Sequence, residues 1–248
     1  INMAIHLSKR LTALANMVTD GNRLADIGTD HGYIPIYLCQ TGKIPSALAM
    51  DIGKGPLQQA QTHIAEHGLS EQIKTRLSDG MAALQFGEAD TILIAGMGGG
   101  LVMKILSEGA EKLTGKEELI LQPQSEIALV REFLRVRNFQ ILNEDMILED
   151  GKYYPMMKVS QQKAAEQTKI LPQEVADAFG PVLLQKRHPV LKEWLERELR
   201  TTNSVIEQLS AQPDHERIRN RMQQVNCKKT LILEALKNYG TESVQSDD

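Results

Sequence analysis

The apolar positions of this chain change period along its length, and the changes mark out its elements. Between residues 5 and 19, Ile5, Leu7, Leu11, Leu14, Ala15 and Val18 recur at helical spacing, with Ser8 placed as the cap of the helix they predict. Short apolar runs then alternate with helical patterns. Residues 24–27, 47–50, 73–77, 91–95 and 119–121 read as strands. Helices are predicted over 32–40, with Pro35 tolerable in the first turn, from Pro56 to about 67, after the glycines at 96–100, and over 125–137 with Ser125 as cap. Two further runs, 139–148 and 153–159, follow with no helix between them, and Asp150-Gly151 separates them as a hairpin turn. This order predicts an α/β fold, a doubly wound, mostly parallel sheet whose last two strands include an antiparallel pair.

Beyond residue 160 the texture changes. Residues 161–180, with Gln161, Gln162, Lys163, Gln167, Thr168 and Pro172, read as a polar connection. After Pro181 only helical patterns remain. Val190, Leu191, Trp194, Leu195, Leu199, Val205, Ile206 and Leu209 mark one face of a long helix, and Pro213 interrupts it. Ile218, Met222, Val225, Leu231, Ile232, Ala235 and Leu236 mark a second. Two long helices joined by a short turn predict an antiparallel, coiled-coil-like α-helical hairpin, and residues 241–248 read as a frayed polar tail. The expected domains are therefore 1–160, an α/β unit with an N-terminal helix, and 161–248, a helical unit.

Composition changes this picture little. The 248 residues carry a formal net charge of −4, so the molecule is no polycation, and a nucleic-acid partner would have to use a local basic patch. Cys39 and Cys227 are far apart and have no metal-ligand neighbourhood, which points to a reducing compartment and to neither a disulfide nor a metal site. No apolar run approaches the length of a membrane span, and the N-terminus lacks a signal-peptide layout; the expectation is a cytoplasmic protein without a membrane partner.

The most informative chemistry lies at residues 23–33. A short apolar run ends in Asp26 and turns through Gly28 and Gly32, as α/β proteins do when they build a cofactor site at the end of the first strand. The pattern is Asp-x-Gly-x-Asp-x-Gly. Asp30 stands where a dinucleotide fold wants its second glycine and would set its carboxylate against a pyrophosphate; Tyr33 stands where the third is wanted. A cofactor that is cationic and has no phosphate fits better, and S-adenosyl-L-methionine carries both a sulfonium and an ammonium. Asp26 or Asp30 can accept hydrogen bonds from that ammonium. Asp51 closes the second strand 25 positions after Asp26 and can accept from two ribose hydroxyls; the plainer role is an acid at a helix start.

Gly96-Met97-Gly98-Gly99-Gly100 ends the fourth strand. No Asn/Asp-Pro-Pro-aromatic tetrapeptide stands there to hold an exocyclic amine, and no Lys-Ser/Thr follows to make a nucleotide P-loop. The glycines leave room for a flat base, form an anion-binding nest, or serve close packing. Gln122, Pro123 and Gln124 lie beyond the fifth strand on the same rim, where amides can meet a base edge, and His31 and Tyr33 are candidates for lining the pocket. No Ser/His/Asp or Cys/His set suggests a hydrolase.

Taken in order, Leu7-Ser8-Lys9-Arg10-Leu11, the segment 26–33, Asp51-Ile52, Asp79-Gly80, residues 94–99, residues 121–124 and the helical hairpin resemble the bacterial tRNA (adenine(22)-N1)-methyltransferases over residues 7–245. The resemblance implies a Rossmann-like class I methyltransferase fold, whose sheets end in such an antiparallel pair. It implies S-adenosyl-L-methionine as cofactor, held by Asp26, Gly28, Thr29, Asp30, His31, Gly32, Asp51, Ile52, Asp79, Gly80 and Gly96, with S-adenosyl-L-homocysteine as product. Asp79-Gly80 stands where family members contact the adenine ring. It also implies methyl transfer to N1 of an adenine in the D-arm of tRNA, with Gly96, Met97, Gly98, Gln122, Pro123 and Tyr33 at the acceptor. The adenine N1 is an in-plane lone pair that needs alignment and exclusion of water more than a strong base.

For tRNA, Arg217, Arg219, Arg221, Lys228 and Lys229 fall in a stretch without acids, and Lys9-Arg10 offers a second patch. The plainer reading is a solvated helix face. A small-molecule methyltransferase, or a non-catalytic adaptor binding the cofactor or RNA, are the alternatives; the hairpin serves equally a monomer that grips RNA or a homodimer.

Overall fold

Seven strands form one sheet in the order β3-β2-β1-β4-β5-β7-β6. They are β1 (Leu24–Ile27), β2 (Ala47–Asp51), β3 (Ile73–Leu77), β4 (Thr91–Met97), β5 (Glu118–Pro123), β6 (Gln140–Glu149) and β7 (Lys152–Ser160). The first five are parallel, and β7 runs antiparallel to both β5 and β6. The computed structural model describes residues 5–162 and 171–240, and the chain divides into two units, Ile1–Glu166 and Gln167–Asp248. Lys163, Gln167 and Thr168 of the expected connection and the expected tail 241–248 lie outside the described residues.

The central strands are apolar throughout because both faces are covered. Side chains alternate across the pleat, so Leu93 enters one core while Ile92 and Ile94 enter the other. The first core includes Leu14 of α1 (Lys9–Met17), Ile36 of α2 (Tyr33–Gln40) and Ile64 of α3 (Lys54–Glu66). The second includes Val102 and Ile105 of α4 (Gly99–Glu108) and Val130 and Leu134 of α5 (Ile127–Val136). Edge strand β3 carries Lys74 and Arg76 among its half-apolar positions, which suits an edge facing water.

A side-chain cap fixes the start of the first helix. Ser8 Oγ accepts the Leu11 N–H at 3.3 Å, so α1 begins at Lys9, later than the apolar periodicity; Ile5 and Leu7 precede it and pack on the core. Asp150 and Gly151 both take positive φ (50° and 74°), the conformation that a two-residue turn between antiparallel strands demands. Ser125 departs from expectation. It does not cap α5, which is preceded by Glu126 in the left-handed region; its hydroxyl instead accepts the Gly99 N–H of α4 at 3.2 Å.

In the second unit, part of the expected polar connection is helical. Helix α6 (Gln173–Phe179) buries Val175, Ala176 and Phe179, and Phe179 meets Trp194 edge-on at 5.9 Å. Three apolar side chains on a seven-residue helix were masked by the polar residues around them. After α7 (Pro181–Gln185) come α8 (Pro189–Ser210) and α9 (Glu216–Leu236), which pack on each other, with Leu191, Leu195, Val225 and Ile232 buried.

Candidate active site

The strand order reverses between β1 and β4, so the loops leaving their carboxyl ends part and open a crevice. Ile27 lies beside Met50 on one side and Ile94 on the other, which brings the ends of β1, β2 and β4 to one rim.

The β1 loop is tied down by its backbone. The N–H groups of Gly28 and Thr29 both donate to the Met50 carbonyl, at 2.8 and 2.9 Å. Gly28 has φ of 75°, and a Cβ there would lie 2.3 Å from Met97 Cε, so a side chain is strained and must displace the end of Met97. Asp26 is buried behind this turn and accepts the Thr29 hydroxyl at 2.7 Å. Burial pushes its carboxyl up to about 7 against the lowering effect of the Thr29 bond, and the nearby Asp51 and Asp30 charges add to the rise. Asp30 is exposed, at a φ of 52°. Its N–H donates to Asp51 Oδ2 at 3.3 Å, while Asp51 Oδ1 accepts the Gly53 N–H at 2.7 Å. Asp51 thus joins two loops and stays partly exposed at the end of β2. Ile52 beside it is 67% exposed, an apolar side chain on an otherwise polar rim.

Tyr33, His31 and His63 stack on one another, with ring centroids 5.2 to 5.7 Å apart. His63 Nδ1 lies 3.0 Å from the His31 carbonyl. The sequence offered no sign of His63, because it comes from α3 through space. Gly80 turns at a φ of 53° over Ile105. Asp79 is exposed, and its carbonyl accepts the Ala82 N–H.

The β4 glycines have separate tasks. A Cβ on Gly99 would come within 2.4 Å of the Ser125 carbonyl, a backbone atom that cannot move aside, so close packing of α4 on the α5 start requires this glycine. The Gly100 N–H donates to Glu126 Oε2 at 2.8 Å. With the N–H groups of Gly99 and Gly100 taken by Ser125 and Glu126, the nest reading loses its donors. Gly98 caps α4 through its backbone, and Met97 covers Gly28. Gly96, at a φ of 75°, is the open position: the nearest atoms to a Cβ there are Gln124 Nε2 at 3.9 Å and Arg10 Nη1 at 4.0 Å.

Gln122 is fully buried, its Oε1 accepting Arg10 Nη1 at 2.9 Å and its Nε2 donating to the Pro123 carbonyl at 3.4 Å. It is therefore not available to a base edge, and Gln124 is the amide that faces Gly96. Lys9 and Arg10, read together as one basic patch, separate: Lys9 is exposed and Arg10 turns inward across the Tyr154 ring, 5.4 Å from its centroid.

The basic stretch of α9, in the other unit, also separates. Arg219 is held by Asp214 at 2.9 Å and Lys228 by Glu198 at 2.6 Å. Arg217 and Arg221 line an open groove of about 730 Å³ with Gln212, His215, Ile218 and Gln224. No ion pair reaches Arg217, Arg221 or Lys229 among the described residues.

Among the described residues no group of three His, Cys, Asp or Glu side chains is placed to hold a metal ion, and no helix is long and apolar enough to cross a membrane. Two buried or half-buried carboxylates, with no cation paired to either among the described residues, suit a ligand carrying an ammonium and hydroxyls, and the Gly96 turn leaves open space beside them.

Comparison with known proteins agrees with this geometry. The family model described as tRNA (adenine(22)-N(1))-methyltransferase matches residues 24–231. A Bacillus subtilis (strain 168) protein of that name is 35% identical over 233 residues, covering 94% of this chain and 98% of the relative. Streptococcus pneumoniae Sp1610, solved in complex with S-adenosyl-L-methionine, superposes with a TM-score of 0.79 at 34% identity, over 93% of this chain and 100% of the other. M. capricolum TrmK, solved with S-adenosyl-homocysteine, gives 0.74 at 28% identity, over 91% and 99%.

Proposed function

The chain belongs to the tRNA (adenine(22)-N(1))-methyltransferase family, and from that premise we propose how its residues carry the activity. The protein is an S-adenosyl-L-methionine-dependent enzyme that methylates N1 of adenine 22 in tRNA. It acts on tRNA in the cytoplasm. The first unit is the catalytic domain, extending past the expected boundary at 160 because Gln161 and Gln162 bond back to Arg137 and Lys116, and the second is a helical domain that grips RNA.

When bound, S-adenosyl-L-methionine supplies an electrophilic methyl group. The residues of the crevice hold and orient. Asp26 faces the ammonium, with Gly28, Thr29 and Gly32 shaping the turn around it; Asp30 and His31 form its outer wall. Asp51 accepts from the ribose hydroxyls, Ile52 covers one face of the adenine ring, and Asp79 and Gly80 border its edge. Gly96 leaves room for the acceptor base, which must be unpaired and out of its stack because a Watson–Crick pair occupies N1. Met97, Gly98, Pro123 and Tyr33 wall this space and exclude water. Attack by a neutral ring nitrogen calls for no general base. The observation that carries this reading is the meeting of three strand ends, carboxylates on one side and the open Gly96 on the other.

The test is incubation with labelled S-adenosyl-L-methionine and unmodified tRNA, followed by nucleoside mapping by mass spectrometry. N1-methyladenosine at position 22 is the expected product. Label entering small metabolites and no tRNA would overturn the reading in favour of a small-molecule methyltransferase.

Two further outcomes follow. Asp51→Ala should weaken cofactor binding at least tenfold, about 1.5–3 kcal/mol, by removing a charged acceptor; calorimetric titration reads this, and unchanged affinity removes Asp51 from the ribose. For tRNA, Arg217→Ala with Arg221→Ala should weaken binding about tenfold and flatten its salt dependence, with cofactor affinity intact. Arg219→Ala with Lys228→Ala should have a smaller effect, since both cations already have carboxylate partners. Equal effects of the two pairs would show that the groove has no special role.

A further inference from the structure

Arg10 breaks a local rule. It stands in the first turn of α1, where the helix dipole favours acids, and that turn holds none. Residues that go against local preference are expected where function asks for them. Its side chain leaves the α1 surface, crosses Tyr154 and ends at the rim beside Gly96, half-buried. Nη1 is fixed by Gln122 Oε1 at 2.9 Å, across 112 residues of sequence, and keeps a second N–H to donate. Glu149, the carboxylate that contacts this residue, takes its backbone N–H at 3.4 Å; no carboxylate makes an ion pair with the guanidinium among the described residues. A partly desolvated guanidinium without a counter-charge is an expensive arrangement unless an anion completes it.

The surrounding chemistry says which anion. Arg10 Nη1 and Gln124 Nε2 both border the space in front of Gly96, 4.0 and 3.9 Å from where a Cβ would stand. Hydrogen-bond donors therefore converge at the place assigned to the acceptor nucleotide. Adenine offers its N6 amino group as a donor at the Watson–Crick edge, so two donors are poorly matched to that edge. A phosphodiester oxygen accepts from both, and a guanidinium fork is the side chain best suited to it. Resting on the tRNA-methylating reading above, we infer that Arg10 clamps a phosphate of the target nucleotide, and that Gln122 is a positioning residue which fixes the guanidinium in place. An extruded nucleotide has lost its stacking, so a charge contact on its own backbone is a direct way to hold N1 in line.

The test uses the full chain and a tRNA ligated from synthetic pieces. The linkage on either side of the acceptor adenosine is made, in turn, a neutral methylphosphonate on a 2′-deoxy sugar, with the same deoxy sugar and an ordinary phosphate as control. Arg10→Ala should lower kcat/KM for tRNA roughly 10- to 100-fold, the range of one charge-assisted contact. Its log–log salt dependence of tRNA binding should fall by about one phosphate contact. Cofactor affinity should stay as in the wild type, while the melting temperature falls by what the lost Gln122 bond contributes and is read separately. One of the two neutral linkages should reproduce the loss in the wild type and add nothing to Arg10→Ala. Arg10→Lys should keep the salt slope and recover part of the activity, which a purely structural role would not produce. Wild-type activity in Arg10→Ala, full additivity with both linkages, or a loss abolished by 7-deazaadenine at the acceptor (a base contact) would overturn the inference. Absence of methylation by the wild type on ordinary tRNA would instead remove the enzymatic reading itself.

Discussion

Asp26→Asn is expected to make the cofactor-free protein more stable at neutral and alkaline pH while weakening S-adenosyl-L-methionine binding 10- to 100-fold. Burial holds the Asp26 carboxyl up to about 7 from an ordinary 3.8. The folded protein therefore keeps a proton that the unfolded chain releases near pH 4, and stability falls as pH rises from about 4 to 7, then levels off. Above pH 7 the buried charge costs on the order of 4 kcal/mol. Asparagine removes that cost and can still accept the Thr29 hydroxyl, although its amide brings two donors into a buried place. A net gain of about 1–3 kcal/mol is expected, with the slope between pH 4 and 7 reduced, as urea unfolding at a series of pH values would show. Cofactor binding moves the other way, because on the proposed reading the ionised carboxylate is the partner of the ammonium. Wild-type affinity should rise from pH 6 to 8, and the variant should lose both the rise and 1.5–3 kcal/mol. A variant that loses stability and affinity together would mark Asp26 as a structural residue.

Glu144→Ala should cost about 3–5 kcal/mol of stability. Glu144 on β6 and Arg131 on α5 pair at 2.9 Å, their side chains 0% and 2% exposed. Removing the carboxylate takes the Glu144 charge away from a buried guanidinium. Replacing both, Arg131→Met with Glu144→Leu, should restore most of the loss, since an apolar pair of similar volume needs no desolvation. Denaturant midpoints at constant m-value measure both. The pair anchors the helix whose preceding residues, Ser125 and Glu126, hold the start of α4. Its failure should therefore lower the temperature at which the crevice survives, with cofactor affinity unchanged while the chain is folded.

The loop at residues 26–32 was legible because glycine and aspartate in a strand-to-helix turn act through local backbone geometry. Asp150-Gly151 was legible for the same reason, and so was the helical hairpin, whose period needs no partner to be seen. Ser125 was misplaced because its hydroxyl sits before one helix in sequence and caps another in space. Arg10 looked like a neighbour of Lys9 because adjacency in sequence hides opposite side-chain directions on a helix. Gln122 looked like a reader of bases, yet that same arginine occupies its oxygen.

By itself, then, the sequence determined the alternation of strands and helices, the acidic and glycine-rich strand ends, and through them the class of cofactor. These depend on propensity, capping and turn chemistry within a few residues. The tertiary structure alone decided the order β3-β2-β1-β4-β5-β7-β6, the burial that raises Asp26, the Arg131–Glu144 pair and the entry of Arg10 into the crevice. Each of these is a balance of desolvation against a partner brought from elsewhere in the chain, and it comes into existence only when the sheet assembles.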